Sequence, residues 1–173
     1  PATLKQMDET LGQLPDTTGL VLFPESYLPG YPRGLDFGVD VGNRTQAGRE
    51  LWRAYWENSV QKDDVSWQKL SKMAARHQVY LATGITEKDQ ANRTLFCSWV
   101  LFAPDGKLIA RHRKIKPTGT ERVIWGEGSG DTLLTHPTKL GRIGGLICWE
   151  NYMPEARVAL YKQGLDIYLV PTA

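Results

Sequence analysis

Gly144-Gly145-Leu146-Ile147-Cys148-Trp149-Glu150-Asn151-Tyr152-Met153-Pro154 is the stretch on which the reading of this chain turns. An apolar run relieved by two glycines leads straight into Cys148, and Pro154 marks a helix start a few residues later. The spacing predicts a thiol at a strand-to-helix turn. A helix N-terminus there would favour the thiolate, which is the nucleophilic form of cysteine. A buried structural cysteine fits the same segment equally well, so the rest of the chain has to decide.

Working outward toward the C-terminus, Pro154 to Gln163 reads as a helix with Gly164 just past its end, and Leu165 to Val170 as a strand. Working back, Gly141 to Ile147 and Thr132 to His136 read as strands, after a polar, glycine-containing loop over 113–131. Leu95 to Ala103 and Lys107 to His112 flank Pro104-Asp105-Gly106, a hairpin signal. Val79 to Ile85 is a further strand. Glu50 to Ser59 and Val65 to His77 read as helices, with Asp63 and Asp64 available to cap the second. Residues 26–48, rich in Pro, Gly and Tyr, form a long loop of the kind that often carries function. Leu20 to Phe23 is a buried strand that Pro24 is expected to end. Leu4, Met7, Leu11 and Leu14 share one face of a helix over 3–14. Strands alternate with helices in places and with hairpins in others. The expected class is therefore mixed α/β, with helices layered on sheet, in one domain over 1–173.

The 173 residues are 41% hydrophobic and 23% charged, ordinary values for a globular chain. A net charge of +2 with no basic block argues against a nucleic-acid partner. No apolar run has the length of a membrane span, and the first residues lack a signal-peptide layout. The two cysteines, Cys97 and Cys148, have no metal spacing, and so low a count fits a reducing, cytoplasmic compartment. There is no initiator Met, and the final residues read as a strand cut short, so both ends are expected to be truncated.

A cysteine nucleophile needs a base. His77, His112 and His136 have no local context that marks them for that work. Glu25 stands at the end of a buried strand, where partial desolvation suits a carboxylate to proton transfer, although a surface loop carboxylate has the same local sequence. Lys114 closes another strand in His112-Arg113-Lys114, and an ammonium beside a thiol would stabilise developing negative charge. Glu121 is either a second acid near the site or half of an ion pair with Arg122. Cys97, within a strand, reads as core, which leaves a thiol-redox function without a second cysteine. The Cys148 turn itself parallels the nucleophile elbow of serine hydrolases, with sulfur for oxygen.

Taken together, Phe23-Pro24-Glu25, His112-Arg113-Lys114 and Cys148-Trp149-Glu150 resemble the Glu–Lys–Cys triad of the nitrilase superfamily in order and spacing. The flanks Pro29-Gly30-Tyr31-Pro32, Lys116-Pro117-Thr118, Trp125-Gly126-Glu127-Gly128 and Asn151 with Pro154 agree. Lys116 and Trp149-Glu150 point to the nitrilase branch rather than to the amidase-like ones. The resemblance implies an α-β-β-α sandwich, incomplete in this chain, that forms homo-oligomers and uses neither metal nor organic cofactor. It implies that Cys148 is the nucleophile, Glu25 the general base, Lys114 the stabiliser of the tetrahedral intermediate and Glu121 a second acid. Tyr31 and Trp149 are expected near a small nitrile substrate. An amidase or a cyanide-degrading enzyme is the nearest alternative, and a non-catalytic assembly module the alternative of another class.

Overall fold

Leu4, Met7 and Leu11 are all but sealed from solvent, and they define the inner stripe of α1 (Ala2–Leu11). The computed structural model describes residues 2–173. The helix stops at Leu11, three residues before the apolar periodicity does; Leu14 still packs on the same core. Beside it lies α3 (Val65–His77), whose first turn is capped by Asp64 accepting from the Trp67 N–H at 2.8 Å. Trp67, Leu70, Met73 and Ala74 are its buried side.

These two helices cover one face of a four-stranded sheet in the order β1 (Leu20–Leu28), β4 (Tyr80–Asp89), β5 (Thr94–Phe102), β6 (Leu108–Arg113). The β1–β4 pair is parallel and the other two pairs are antiparallel. Side chains alternate across the pleat. Leu81, Ile85, Val100 and Phe102 therefore meet the helices, while Tyr80, Ala82, Cys97, Trp99 and Leu101 point to the opposite face.

That opposite face packs on a second sheet, ordered β7 (His136–Thr138), β8 (Gly141–Gly145), β9 (Ile167–Leu169). Ile143, Ile147 and Leu169 complete the core between the sheets, and Trp99 Nε1 reaches across to the Gly145 carbonyl at 3.2 Å. On the far side of the second sheet, α4 (Pro154–Tyr161) buries Ala156 and Leu160 against Leu146. The layers run helix, sheet, sheet, helix, an α/β sandwich.

Three local expectations change. Pro24 does not end β1, which continues to Leu28 with an irregularity after Phe23. Proline is tolerated because it falls in the stretch between Phe23 and Leu28 where β1, an edge strand, leaves the regular ladder with β4. The loop over 26–48 contains a small hairpin, β2 (Val39–Asp40) with β3 (Asn43–Arg44), and it ends early. Helix α2 (Gln46–Asn58) starts ahead of Glu50, capped by Thr45. Gly48 reads as loop glycine in sequence, but it is helical and needed for close approach: a Cβ there would lie 2.3 Å from the Phe37 carbonyl oxygen. The strand expected over Thr132–His136 is instead a 3-10 turn at Gly130–Thr132 followed by β7. Among the described residues no helix is long and apolar enough to cross a membrane.

Candidate active site

Glu25 lies within β1, inside the irregular stretch between Phe23 and Leu28, and is 2% exposed. Its position depends on Gly84 in β4. A Cβ on Gly84 would sit 2.3 Å from the Pro24 oxygen and 2.6 Å from the Glu25 Cα, so only glycine lets the two strands come this close. Ser26, the next residue, has φ 47° and anchors its hydroxyl 2.6 Å from that of Thr86. The irregularity in β1 thereby aims Glu25 into the space between the sheets.

Lys114 follows the last residue of β6, held by its own N–H to the Cys97 carbonyl at 2.7 Å. Its ammonium is fully buried and lies 2.7 Å from both Glu25 Oε1 and Glu121 Oε2. Burial alone would push the Lys114 ammonium down; the Cys97, Glu121 and Glu25 groups around it outweigh that, and the net direction is up. Glu121 sits in a 3-10 turn, Gly119–Val123, where its Oε2 also accepts the Thr118 N–H at 2.6 Å. Its Oε1 accepts the Tyr31 hydroxyl at 2.7 Å. Burial and this bond to Glu121 push the Tyr31 phenol up.

Cys148 opens the 3-10 turn Cys148–Tyr152 at φ 46°, a left-handed conformation that is strained for a residue with a Cβ. Its N–H donates to the Pro171 carbonyl at 3.0 Å, and Asn151 Nδ2 donates to its carbonyl at 2.7 Å. The Asn151 amide is held in turn by the Tyr168 hydroxyl. The helix that follows does not pull the thiol down. Burial pushes it up, the Glu25 carboxylate adds to this by charge and by hydrogen bonding, and Lys114 and the Trp149 N–H pull the other way with less effect. The expected helix N-terminus does not govern it because α4 begins only at Pro154, beyond the intervening turn.

Glu25, Lys114, Glu121 and Cys148 thus converge on one region, and Tyr31 joins them through Glu121. Tyr31 also lines a cavity of about 400 Å3 with Pro32, Arg33, Leu35, Glu121 and Ile124. The Trp149 ring, 61% exposed, leans on Tyr152 with ring centroids 5.2 Å apart. Sequence reasoning missed two participants. Cys97 is core, but its thiol also donates to Glu25 Oε1 at 3.4 Å. Its alternation with Leu95 and Trp99 was the available signal. Glu150 is buried and hydrogen-bonds three groups, and its spacing of three from Ile147 is that of a capping glutamate. Glu25 Oε2, by contrast, is buried with no hydrogen-bond partner. No group of three or more His, Cys, Asp or Glu placed to hold a metal occurs among the described residues.

The layered α/β sandwich thus gathers a cysteine, a lysine and two glutamates where its sheets meet. The chain belongs to the carbon–nitrogen hydrolase family, whose model matches residues 3–173. It is 43% identical to the bifunctional nitrilase/nitrile hydratase NIT4B of Nicotiana tabacum, a match covering 100% of this chain and 49% of that protein. It is 40% identical to nitrilase 2 of Arabidopsis thaliana, over 100% of this chain and 51% of that protein. The chain spans about half the length of the curated relatives it matches. Its fold is similar to that of Saccharomyces cerevisiae Nit3, a member of branch 10 of the nitrilase superfamily (TM-score 0.74, 25% identity, 98% of this chain and 56% of that one).

Proposed function

We propose that the protein hydrolyses a small-molecule nitrile to the carboxylic acid and ammonia through a covalent adduct on Cys148. The observation that carries this reading is the asymmetry of Glu25. Oε1 is taken by Lys114 and Cys97, while Oε2 is buried and unpartnered, and burial and the Glu25 carboxylate push the Cys148 thiol up. A protonated thiol needs a base, and Oε2 is the free acceptor.

In this scheme Glu25 takes the Cys148 proton as sulfur attacks the nitrile carbon, and the proton passes to the nitrile nitrogen, giving a thioimidate. Water adds to that carbon, the carbon–nitrogen bond breaks, ammonia leaves and a thioester remains. A second water, deprotonated by Glu25, attacks the thioester; the carbon–sulfur bond breaks and the acid departs. The Lys114 ammonium and the Trp149 N–H stabilise negative charge on nitrogen and then on oxygen. Glu121 holds Lys114 from the other side. The relatives named as both nitrilase and nitrile hydratase support a second outcome, in which the tetrahedral adduct expels the thiol instead of ammonia and yields an amide.

The test is ammonia and amide release from aliphatic, aryl and arylaceto nitriles and the matching amides, with Cys148→Ala as control. Cysteine-dependent ammonia from nitriles is expected, and the variant should lose at least about 10^4-fold in kcat. Steady turnover by Cys148→Ala, or ammonia from amides alone, would overturn the reading.

A further inference from the structure

Glu150 stands two residues past Cys148 and is 1% exposed. A carboxylate buried that deeply persists only where donors satisfy it. Its two oxygens are divided between two backbone N–H groups: Oε1 accepts from Ile115 at 2.6 Å and Oε2 from Ile147 at 2.7 Å. Ile115 directly follows Lys114, and Ile147 directly precedes Cys148. One side chain therefore ties the end of β6 to the entry of the cysteine turn, although β6 and β8 belong to different sheets. Behind it, His112 Nε2 lies 3.1 Å from both carboxylate oxygens, and His112 Nδ1 lies 2.8 Å from the Thr132 hydroxyl.

We propose that Glu150 is a positioning residue for the hydrolysis: it sets the separation between the Lys114 ammonium and the Cys148 sulfur, and His112 fixes its orientation. The inference rests on the reading of Cys148 as nucleophile and Lys114 as charge stabiliser. Both oxygens must accept. A glutamine at this position would turn an NH2 toward one of the two N–H groups and break that link. An aspartate keeps the charge but is one methylene too short to span both segments. A displacement of the order of 1 Å at a reacting pair costs about 100-fold in rate.

The experiment compares wild-type full-length protein with Glu150→Gln, Glu150→Asp and His112→Gln. It measures kcat and KM on a nitrile that the wild type turns over. It also measures, across pH, the rate at which iodoacetamide alkylates the Cys148 peptide, followed by mass spectrometry. Glu150→Gln and Glu150→Asp are each expected to lose about 100-fold in kcat, with KM held within about threefold. The alkylation profile of Cys148 should be displaced along the pH axis, because its distances to Glu25 and Lys114 change. His112→Gln should show a smaller loss of the same kind, and it carries the test if the Glu150 variants do not fold. Variants that lose thermal stability yet keep wild-type kcat and a wild-type alkylation profile would overturn the proposal. Wild-type protein that turns over no nitrile would overturn the reading of the site instead, and the alkylation profiles would still decide on Glu150.

Discussion

Lys114 Nζ lies 2.7 Å from Glu25 Oε1 across 89 positions of sequence, and both side chains are closed to solvent. Two segments that share no local contact are thereby fixed to each other by one charge pair. A buried pair of this kind has paid a desolvation cost that only its partner and further hydrogen bonds offset. Glu121 supplies the second partner, so one ammonium serves two carboxylates.

Removal of that ammonium should therefore be costly in two ways. Lys114→Met leaves Glu25 and Glu121 facing each other with no cation between them. The expected loss is about 3–5 kcal/mol of unfolding free energy, read from the urea midpoint. In whatever fraction stays folded, ammonia release should fall by at least about 100-fold. A variant with wild-type stability would show that the pair is not the tie described above.

Stability should fall with rising alkaline pH. Cys97 is held well above the usual thiol range, by burial first and then by Glu25, and Cys148 and Lys114 are also raised. A group whose pKa is raised on folding keeps its proton in the folded state after the unfolded chain has released it. The stabilisation is thus complete below the unfolded pKa, about 8.5 for a thiol, and is lost as pH climbs toward the folded value. Urea midpoints measured from pH 7 upward should decline beyond about pH 8.5, and Cys97→Ala should flatten the decline. A rise in stability over that window would contradict the assigned directions.

Gly84→Ala should damage activity from the strand beside Glu25. The added methyl meets the backbone of Pro24, Glu25 and Ser26, all closer than van der Waals contact allows. Strand β1 must move away, and Glu25 moves with it. A stability loss of about 1–3 kcal/mol is expected, seen as a lower thermal midpoint, together with a fall in kcat out of proportion to the unfolded fraction. Full kcat in the folded variant would mean that Glu25 tolerates the shift.

Much of the layering was legible in local pattern. The apolar spacing over 4–11, the Asp64 cap and the Pro104-Asp105-Gly106 hairpin describe elements whose stability is decided by neighbours in sequence. Their ends were less legible. Pro24 and Gly48 carry strong local signals that tertiary position overrides: an irregular stretch of edge strand asks no N–H of a proline, and a crowded helix face needs a missing Cβ.

The sequence by itself determined which residues carry titratable groups and in what order: Glu25, Lys114, Glu121 and Cys148, of which Lys114 and Cys148 follow strands that periodicity and turn residues delimit. Only the tertiary structure decided what those groups face. The four-stranded sheet had to form before Lys114 met Glu25 and before Cys97 donated to the same carboxylate, and the two sheets had to pack before Glu150 bridged β6 to the turn at Cys148. The reason is physical. Propensity and periodicity act over one or two turns of chain, whereas the charge pairs and buried hydrogen bonds of this site join segments tens of residues apart, and each exists only once the packed core has excluded water around it.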